Sequence, residues 1–123
     1  MARKRILIID DEQDIVNLVQ LILEDAGYEV EASTSGMEAL TRLQDENFDL
    51  VLLDIMMPMV TGWEVLRELR SRSRTKDIPV ALLTARASPR DDNRQHPTDF
   101  CEYITKPFEA EDLLSRIRQI LGK

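Results

Sequence analysis

Five times along the chain a short apolar run gives way to an amphipathic helical pattern, and that alternation constrains the fold more than any other feature. Ile6 to Ile9, Leu50 to Leu53 and Ile78 to Leu83 are continuous apolar runs. Runs of that kind suit strands covered on both faces of a parallel sheet. Tyr28 to Ala32 and Glu102 to Thr105 are weaker and read as edge strands. Between them, Glu12 to Ala26 places Ile15, Leu18, Val19 and Ile22 on one face, with Gly27 as the C-terminal cap. Ser35 to Glu38 reads as a capping box ahead of Ala39, Leu40 and Leu43. Trp63 to Arg72 turns Val65, Leu66 and Leu69 inward and Arg67, Arg70 and Arg72 outward. Ser88-Pro89 opens a further helix that Pro97 should end early, and Glu109 to Leu121 is the last. A β-α order repeated five times predicts an α/β fold: a doubly wound, five-stranded parallel sheet with helices on both faces. The flavodoxin-like order 2-1-3-4-5 is the natural choice.

Residues 1–123 read as a single domain, because no linker, repeat or low-complexity stretch divides them. The longest apolar stretch, Leu50 to Val60, is broken by Asp54 and Pro58, far short of a membrane span. Met1 to Arg5 resembles the start of an export signal, but the apolar run behind it stops at Asp10. A cytoplasmic protein without a membrane partner is expected. A net charge of −7 and a pI near 4.7 repel phosphate backbones, so direct nucleic-acid binding is not expected. The one cysteine, Cys101, forms no internal disulfide, and the one histidine, His96, reads as a surface residue. The four glycines are too scattered for a P-loop or a GxGxxG turn. Asp10 and Asp11 are adjacent, whereas a haloacid-dehalogenase-type phosphatase would show Asp-x-Asp.

In an open parallel sheet, ligands bind beyond the carboxyl ends of the strands. The first strand delivers Asp10 and Asp11 there, the third Asp54, the fourth Thr84, and the fifth precedes Lys106. Crowded carboxylates repel one another, so keeping them ionised calls for a cation. An all-oxygen donor set suits Mg²⁺, with Mn²⁺ as the alternative. A lysine and a threonine hydroxyl opposite would hold an oxyanion such as a phosphoryl group. Each part alone has a plainer reading: Asp10-Asp11-Glu12 as the acidic start of a helix, Thr84 as a strand-end hydroxyl, Lys106 as a surface cation. Their arrival on one sheet edge favours a site.

Four motifs carry a family resemblance: Ile8-Ile9-Asp10-Asp11-Glu12, then Leu53-Asp54-Ile55-Met56-Met57-Pro58 with Gly62, then Leu83-Thr84-Ala85, then Tyr103-Ile104-Thr105-Lys106-Pro107-Phe108. In this order they resemble the receiver domains of two-component response regulators, over essentially the whole chain. Receivers are themselves an instance of the order 2-1-3-4-5, so the two fold readings are not independent. The resemblance implies that Asp54 accepts a phosphoryl group from a sensor histidine kinase or phosphotransfer protein and that an output surface then switches. It implies Mg²⁺ on Asp11, Asp54 and the Met56 carbonyl, with Asp10 acting through bound water. Thr84 would hydrogen-bond the phosphoryl group, Lys106 would pair with it, and Tyr103 would turn inward as Thr84 moves. For Tyr103, ordinary edge-strand packing is the plain alternative. It implies a cis Lys106–Pro107 peptide. Such a domain is a phosphoacceptor that assists its own phosphorylation, not an enzyme acting on other molecules. Met56 and Arg86 resemble positions that gate water's approach to the phosphoryl group; neither is a general base, so a slowly hydrolysing phosphoform is expected. The chain departs from the family at Asp99-Phe100-Cys101-Glu102, where Gly-Ala-Asp-Asp is usual, and at Met59-Val60-Thr61. Phe100 either stays exposed or refills the core. The altered stretch from Pro89 to Glu102 keeps a second reading open, a receiver-like interaction module that works without phosphorylation. The output partner is not legible.

Overall fold

A computed structural model describes residues 3–85, 100 and 102–122. Five parallel strands form one sheet in the order β2-β1-β3-β4-β5. They are β1 (Arg5–Ile9), β2 (Glu29–Ser33), β3 (Leu50–Leu53), β4 (Val80–Thr84) and β5 (Glu102–Thr105). The described helices are α1 (Gln13–Asp25), α2 (Gly36–Asp45), α3 (Gly62–Ser71) and α4 (Ala110–Leu121). Alternate side chains of the central strands feed two separate cores. Leu7, Ile9, Val51, Leu53, Val80 and Leu82 meet Ala39 and Leu43 of α2 and Val65, Leu66 and Leu69 of α3. Ile6, Ile8, Leu50, Leu52, Ala81 and Leu83 meet Val16, Val19 and Leu23 of α1 and Leu113 and Ile117 of α4. The sheet is thus covered on both faces, which is why Ile6 to Ile9, Leu50 to Leu53 and Val80 to Leu83 are unbroken apolar runs.

The strand expected over Ile78 to Leu83 begins two residues later, at Val80. Pro79 has no N–H to give the ladder, and contributes instead its carbonyl, which accepts from the Val51 N–H at 3.0 Å. Leu18, expected on the inward face of α1, is 47% exposed. The buried stripe is Val16, Val19 and Leu23, spaced i, i+3, i+7, with Ile15 and Ile22 at its margins and Leu18 off to one side. At α2 half of the expected capping box is found: Ser35 Oγ accepts from the Glu38 N–H. A complete box, not foreseen, opens α3, where Thr61 Oγ1 accepts from Glu64 N and Glu64 Oε1 from Thr61 N. The helix expected after Ser88-Pro89 and ending at Pro97, together with Arg86, His96 and Cys101, lies outside the described residues.

Met59, in the loop before α3, has φ 68° and is 95% exposed. A left-handed backbone costs a side-chain-bearing residue about 1 kcal/mol, and an exposed side chain offsets none of it. Met59→Gly should therefore raise the urea midpoint slightly, by the equivalent of up to about 0.5 kcal/mol once the entropy of the unfolded glycine, about 0.4–1 kcal/mol, is subtracted. A lower midpoint would mean that the methionine holds the loop by a contact.

Candidate functional site at the carboxyl edge of the sheet

The order in which strands are added to the sheet reverses at β1, which pairs in parallel with β2 on one side and β3 on the other. Just past that point, β1 and β3 each run into an aspartate. The Asp10 N–H donates to the Ser33 carbonyl at 3.1 Å and the Asp54 N–H to the Ile9 carbonyl at 2.9 Å, so the sheet ladder itself fixes both residues. Each carboxylate is then pinned locally. Asp10 Oδ1 accepts from the Glu12 N–H at 2.9 Å, and Asp54 Oδ1 from the Met56 N–H at 3.0 Å. Asp10 is fully buried and Asp54 is 3% exposed.

Glu12 is the N-cap residue of α1, yet its side chain caps nothing. It turns toward the aspartates instead, and one oxygen from each of Asp10, Glu12 and Asp54 lies within 4.8 Å of the others. Lys106 offsets part of their charge. Its Nζ stands 2.7 Å from Asp10 Oδ2, 2.9 Å from Glu12 Oε1 and 3.6 Å from Asp54 Oδ2. The Asp10 contact is an ion pair, for no hydrogen-bond donor is aligned on Asp10 Oδ2. Burial alone would lower the Lys106 pKa, but the carboxylates of Asp10, Glu12 and Asp54 outweigh it and the net shift is upward. The Lys106–Pro107 peptide is cis.

Burial pushes the Asp54 carboxyl up to about 6. The Met56 N–H opposes that shift, repulsion from Asp10 adds to it, attraction to Lys106 opposes it, and Asp11 adds a further repulsion. Asp54 remains mostly ionised at neutral pH, so it keeps the form of a carboxylate nucleophile. The donor set is all oxygen, three carboxylates converge, and Asp10 Oδ2 is buried without a hydrogen-bond partner; a hard divalent cation fits these residues.

Of the residues singled out from sequence, Asp10, Asp54 and Lys106 come together here. Asp11 is exposed at the rim and is not one of the three converging carboxylates. Met56 follows on the rim with its side chain 53% exposed. Thr84 ends β4 in register with Thr105, and its side chain lies outside the described residues. Tyr103 is half-buried on β5. Phe100 is half-buried against the α2–α3 core, which decides between the two fates expected for it.

Two site residues were missed in the sequence. Glu12 reads in the sequence as part of an acidic helix start and of the first motif, with no role of its own, although three consecutive acids are a visible sign that not all can serve one cap. Gly62 was noted as a motif residue without a reason. A Cβ on it would lie 2.3 Å from the Asp54 carbonyl oxygen and 2.4 Å from Ile55 Cα, so α3 begins directly against the backbone of the Asp54 loop.

Residues 6–118 match the family described as response regulator receiver domain. The chain is 41% identical over 119 residues to the DNA-binding dual master transcriptional regulator RpaA of Synechocystis, covering 97% of this chain and 49% of that protein. It is 38% identical to the regulatory protein VanRB of Enterococcus faecalis, covering 97% and 53%. The chain thus spans about half the length of these relatives. Among solved structures, chemotaxis protein CheY4 of Vibrio cholerae superposes with a TM-score of 0.89 at 35% identity, covering 98% of this chain and 100% of that one. The Thermotoga maritima response regulator TrrA, solved in complex with Mg(2+)-BeF, superposes with a TM-score of 0.86 at 38% identity, covering 96% and 99%.

Proposed function

The chain belongs to the response regulator receiver family, and from that premise we propose that Asp54 is its phosphoacceptor, loaded by a sensor histidine kinase or phosphotransfer protein. One observation carries the assignment. The Asp54 carboxylate is buried at the switch point of the sheet, beside two further carboxylates and 3.6 Å from the ammonium of Lys106.

In the transfer, an Asp54 carboxylate oxygen attacks the phosphorus of a phosphohistidine. The O–P bond forms as the N–P bond breaks, and the electron pair of the N–P bond stays on the imidazole nitrogen. Lys106 leaves Asp10 and Glu12 to meet the new phosphoryl oxygens. Thr84, at the end of β4, supplies a hydroxyl to the same group, and Tyr103 on β5 reports the change to the surface. Asp54 and Asp10, with Asp11 and the Met56 carbonyl at the rim, would hold Mg²⁺, Mn²⁺ being the alternative. When bound, the metal neutralises charge on the equatorial oxygens. Met56 and Arg86 flank water's approach and lack a basic group to activate it, which favours a long-lived phosphoform.

The partners follow the same reading: a phosphohistidine donor upstream and an output domain or protein downstream. RpaA is described as DNA-binding, but this chain spans only 49% of it and carries a net charge of −7, so the receiver itself is not assigned a nucleic-acid surface. Among the described residues no helix is long and apolar enough to cross a membrane, and we place the domain in the cytoplasm.

Acetyl phosphate with Mg²⁺ tests the reading. Intact-mass measurement should show one added phosphoryl group on the wild type and none on Asp54→Asn. An unmodified wild type, or an equally modified variant, would remove Asp54 from this role, and the first result would favour an interaction module that works without phosphorylation.

A further inference from the structure

The departure at Phe100 gives this chain a packed aromatic connection between the phosphoacceptor loop and Tyr103. It starts at Gly62, whose backbone has no slack against Asp54 and Ile55, so a displacement of that loop must carry the start of α3 with it. The next residue is Trp63, the chain's one tryptophan, buried at 7% exposure. Its ring centroid lies 6.5 Å from that of Phe100 at an interplanar angle of 57°. Phe100 lies 6.3 Å from Tyr103 at 52°. Both pairs have the tilted geometry that aromatic rings favour, and all three side chains border the core beneath α2 and α3. Phe100 is therefore wedged between the element that abuts Asp54 and the ring assigned as the switch.

We propose that Phe100 is a positioning residue that holds the Tyr103 ring in its resting seat and couples that seat, through Trp63 and Gly62, to the state of the Asp54 loop. The proposal rests on the phosphoacceptor reading given above. Tyrosine χ1 has discrete wells, so the ring chooses between seats instead of drifting, and a neighbour that packs against one seat biases the choice. In this conformation Lys106 is held by Asp10 and Glu12, the arrangement of an unmodified Asp54. The Phe100–Tyr103 contact occurs in this same conformation and is assigned with it to the resting state. Losing one such ring pair shifts a two-state population ratio roughly two- to tenfold. Because coupling is reciprocal, a phosphoryl mimic should bind more tightly by the same factor once the contact is gone. This route needs no hydroxyl at Thr84.

Fluorotyrosine labelling provides the readout, since the chain has two tyrosines and Tyr28 sits in the opposite core as an internal reference. In the 123-residue chain, beryllium fluoride with Mg²⁺ should move the Tyr103 ¹⁹F resonance. In Phe100→Leu without beryllium fluoride, that resonance should already be displaced in the same direction, and beryllium fluoride should bind roughly two- to tenfold more tightly. Phe100→Tyr, which keeps the ring and adds a third resonance told apart by its absence from the wild type, should restore wild-type behaviour, and a Thr84→Val background should leave the Phe100→Leu displacement in place. If Phe100→Leu fails to fold, Phe100→Met serves the same purpose. A leucine or methionine variant with the resonance and affinity of wild type overturns the proposal. So does a Phe100→Tyr variant as displaced as Phe100→Leu. Failure of the wild type to take a phosphoryl group on Asp54 is a separate result, which removes the underlying reading and the coupling with it.

Discussion

Replacing Gly62 by alanine is expected to cost the domain about 3 kcal/mol and to slow phosphoryl uptake about a hundredfold. The cause is backbone against backbone. The added methyl would sit 2.3 Å from the Asp54 carbonyl oxygen, 2.4 Å from Ile55 Cα and 2.9 Å from the Asp54 carbonyl carbon. Neither side can yield by rotating a side chain. The Asp54 loop is tied to β1 through the Asp54 N–H and Ile9 carbonyl, while α3 is locked by its capping box and by Val65, Leu66 and Leu69 in the core. Relief must come from shifting the loop that carries Asp54, the proposed acceptor, and a misplacement on the order of 1 Å is enough to cost about two decades in rate. Gly36→Ala is the matched control. Its methyl would also meet close neighbours, at 2.9 and 3.0 Å, but these are the γ-carbons of Val60 and Val65. Val60 Cβ also stands at 3.1 Å, but half-buried Val60 can shift further than backbone can, and alanine in the first turn of a helix regains some propensity, so the net cost should be about 1–2 kcal/mol, below that of Gly62→Ala. Urea unfolding and acetyl phosphate uptake on both variants provide the check. If the two alanines behave alike, the tight seating of α3 on the acceptor loop has no energetic weight.

That seating was invisible in the sequence, where Gly62 is one of four scattered glycines. Fold class and strand order were legible because burial on both faces leaves an unusual mark: four consecutive apolar residues in β3, all of them fully buried. Asp10, Asp54 and Lys106 were legible for a topological reason. Strand ends in a parallel sheet converge on one edge, so acids and a lysine just past them had to meet. Details that depend on a rotation or a rotamer were not legible. Leu18 and Val16 are both apolar, and only the phase of α1 decides that Val16 is buried and Leu18 half out. Glu12 occupies a cap position, where sequence rules send its side chain back to the helix; the buried ammonium of Lys106 draws it across instead. The Thr61–Glu64 box is written in the sequence as Thr-x-x-Glu, but the apolar stripe that marks the helix begins only at Trp63, two residues past the cap.

In Mg²⁺-free buffer at about pH 7.5, Asp54→Asn should be more stable than the wild type by up to about 3 kcal/mol, and the gap should be roughly halved by pH 5. The sign follows from linkage. The Asp54 carboxyl titrates near 6 in the fold against 3.8 in the unfolded chain, chiefly because burial disfavours the charged form. Below the lower value both states hold the proton and Asp54 contributes nothing. Between the two the folded state keeps a proton that the unfolded state has lost, so stability falls as pH rises. Above the folded value the penalty is complete and constant. Asparagine keeps the shape and can still accept from the Met56 N–H, but carries no charge to desolvate or to repel Asp10. The pair of Lys106 with Asp10 and Glu12 remains to hold that side of the pocket. Magnesium should then invert the comparison. A cation present at about 100 times its Kd for the folded wild type would add roughly 2.7 kcal/mol, while the variant lacks the Asp54 carboxylate proposed as a ligand and should gain less. Thermal unfolding at the two pH values, with and without Mg²⁺, measures all four corners. A wild type that is as stable as Asp54→Asn at neutral pH without metal would mean that the buried charge is already compensated by Lys106. The acidic pocket would then have no stored repulsion for a cation to relieve.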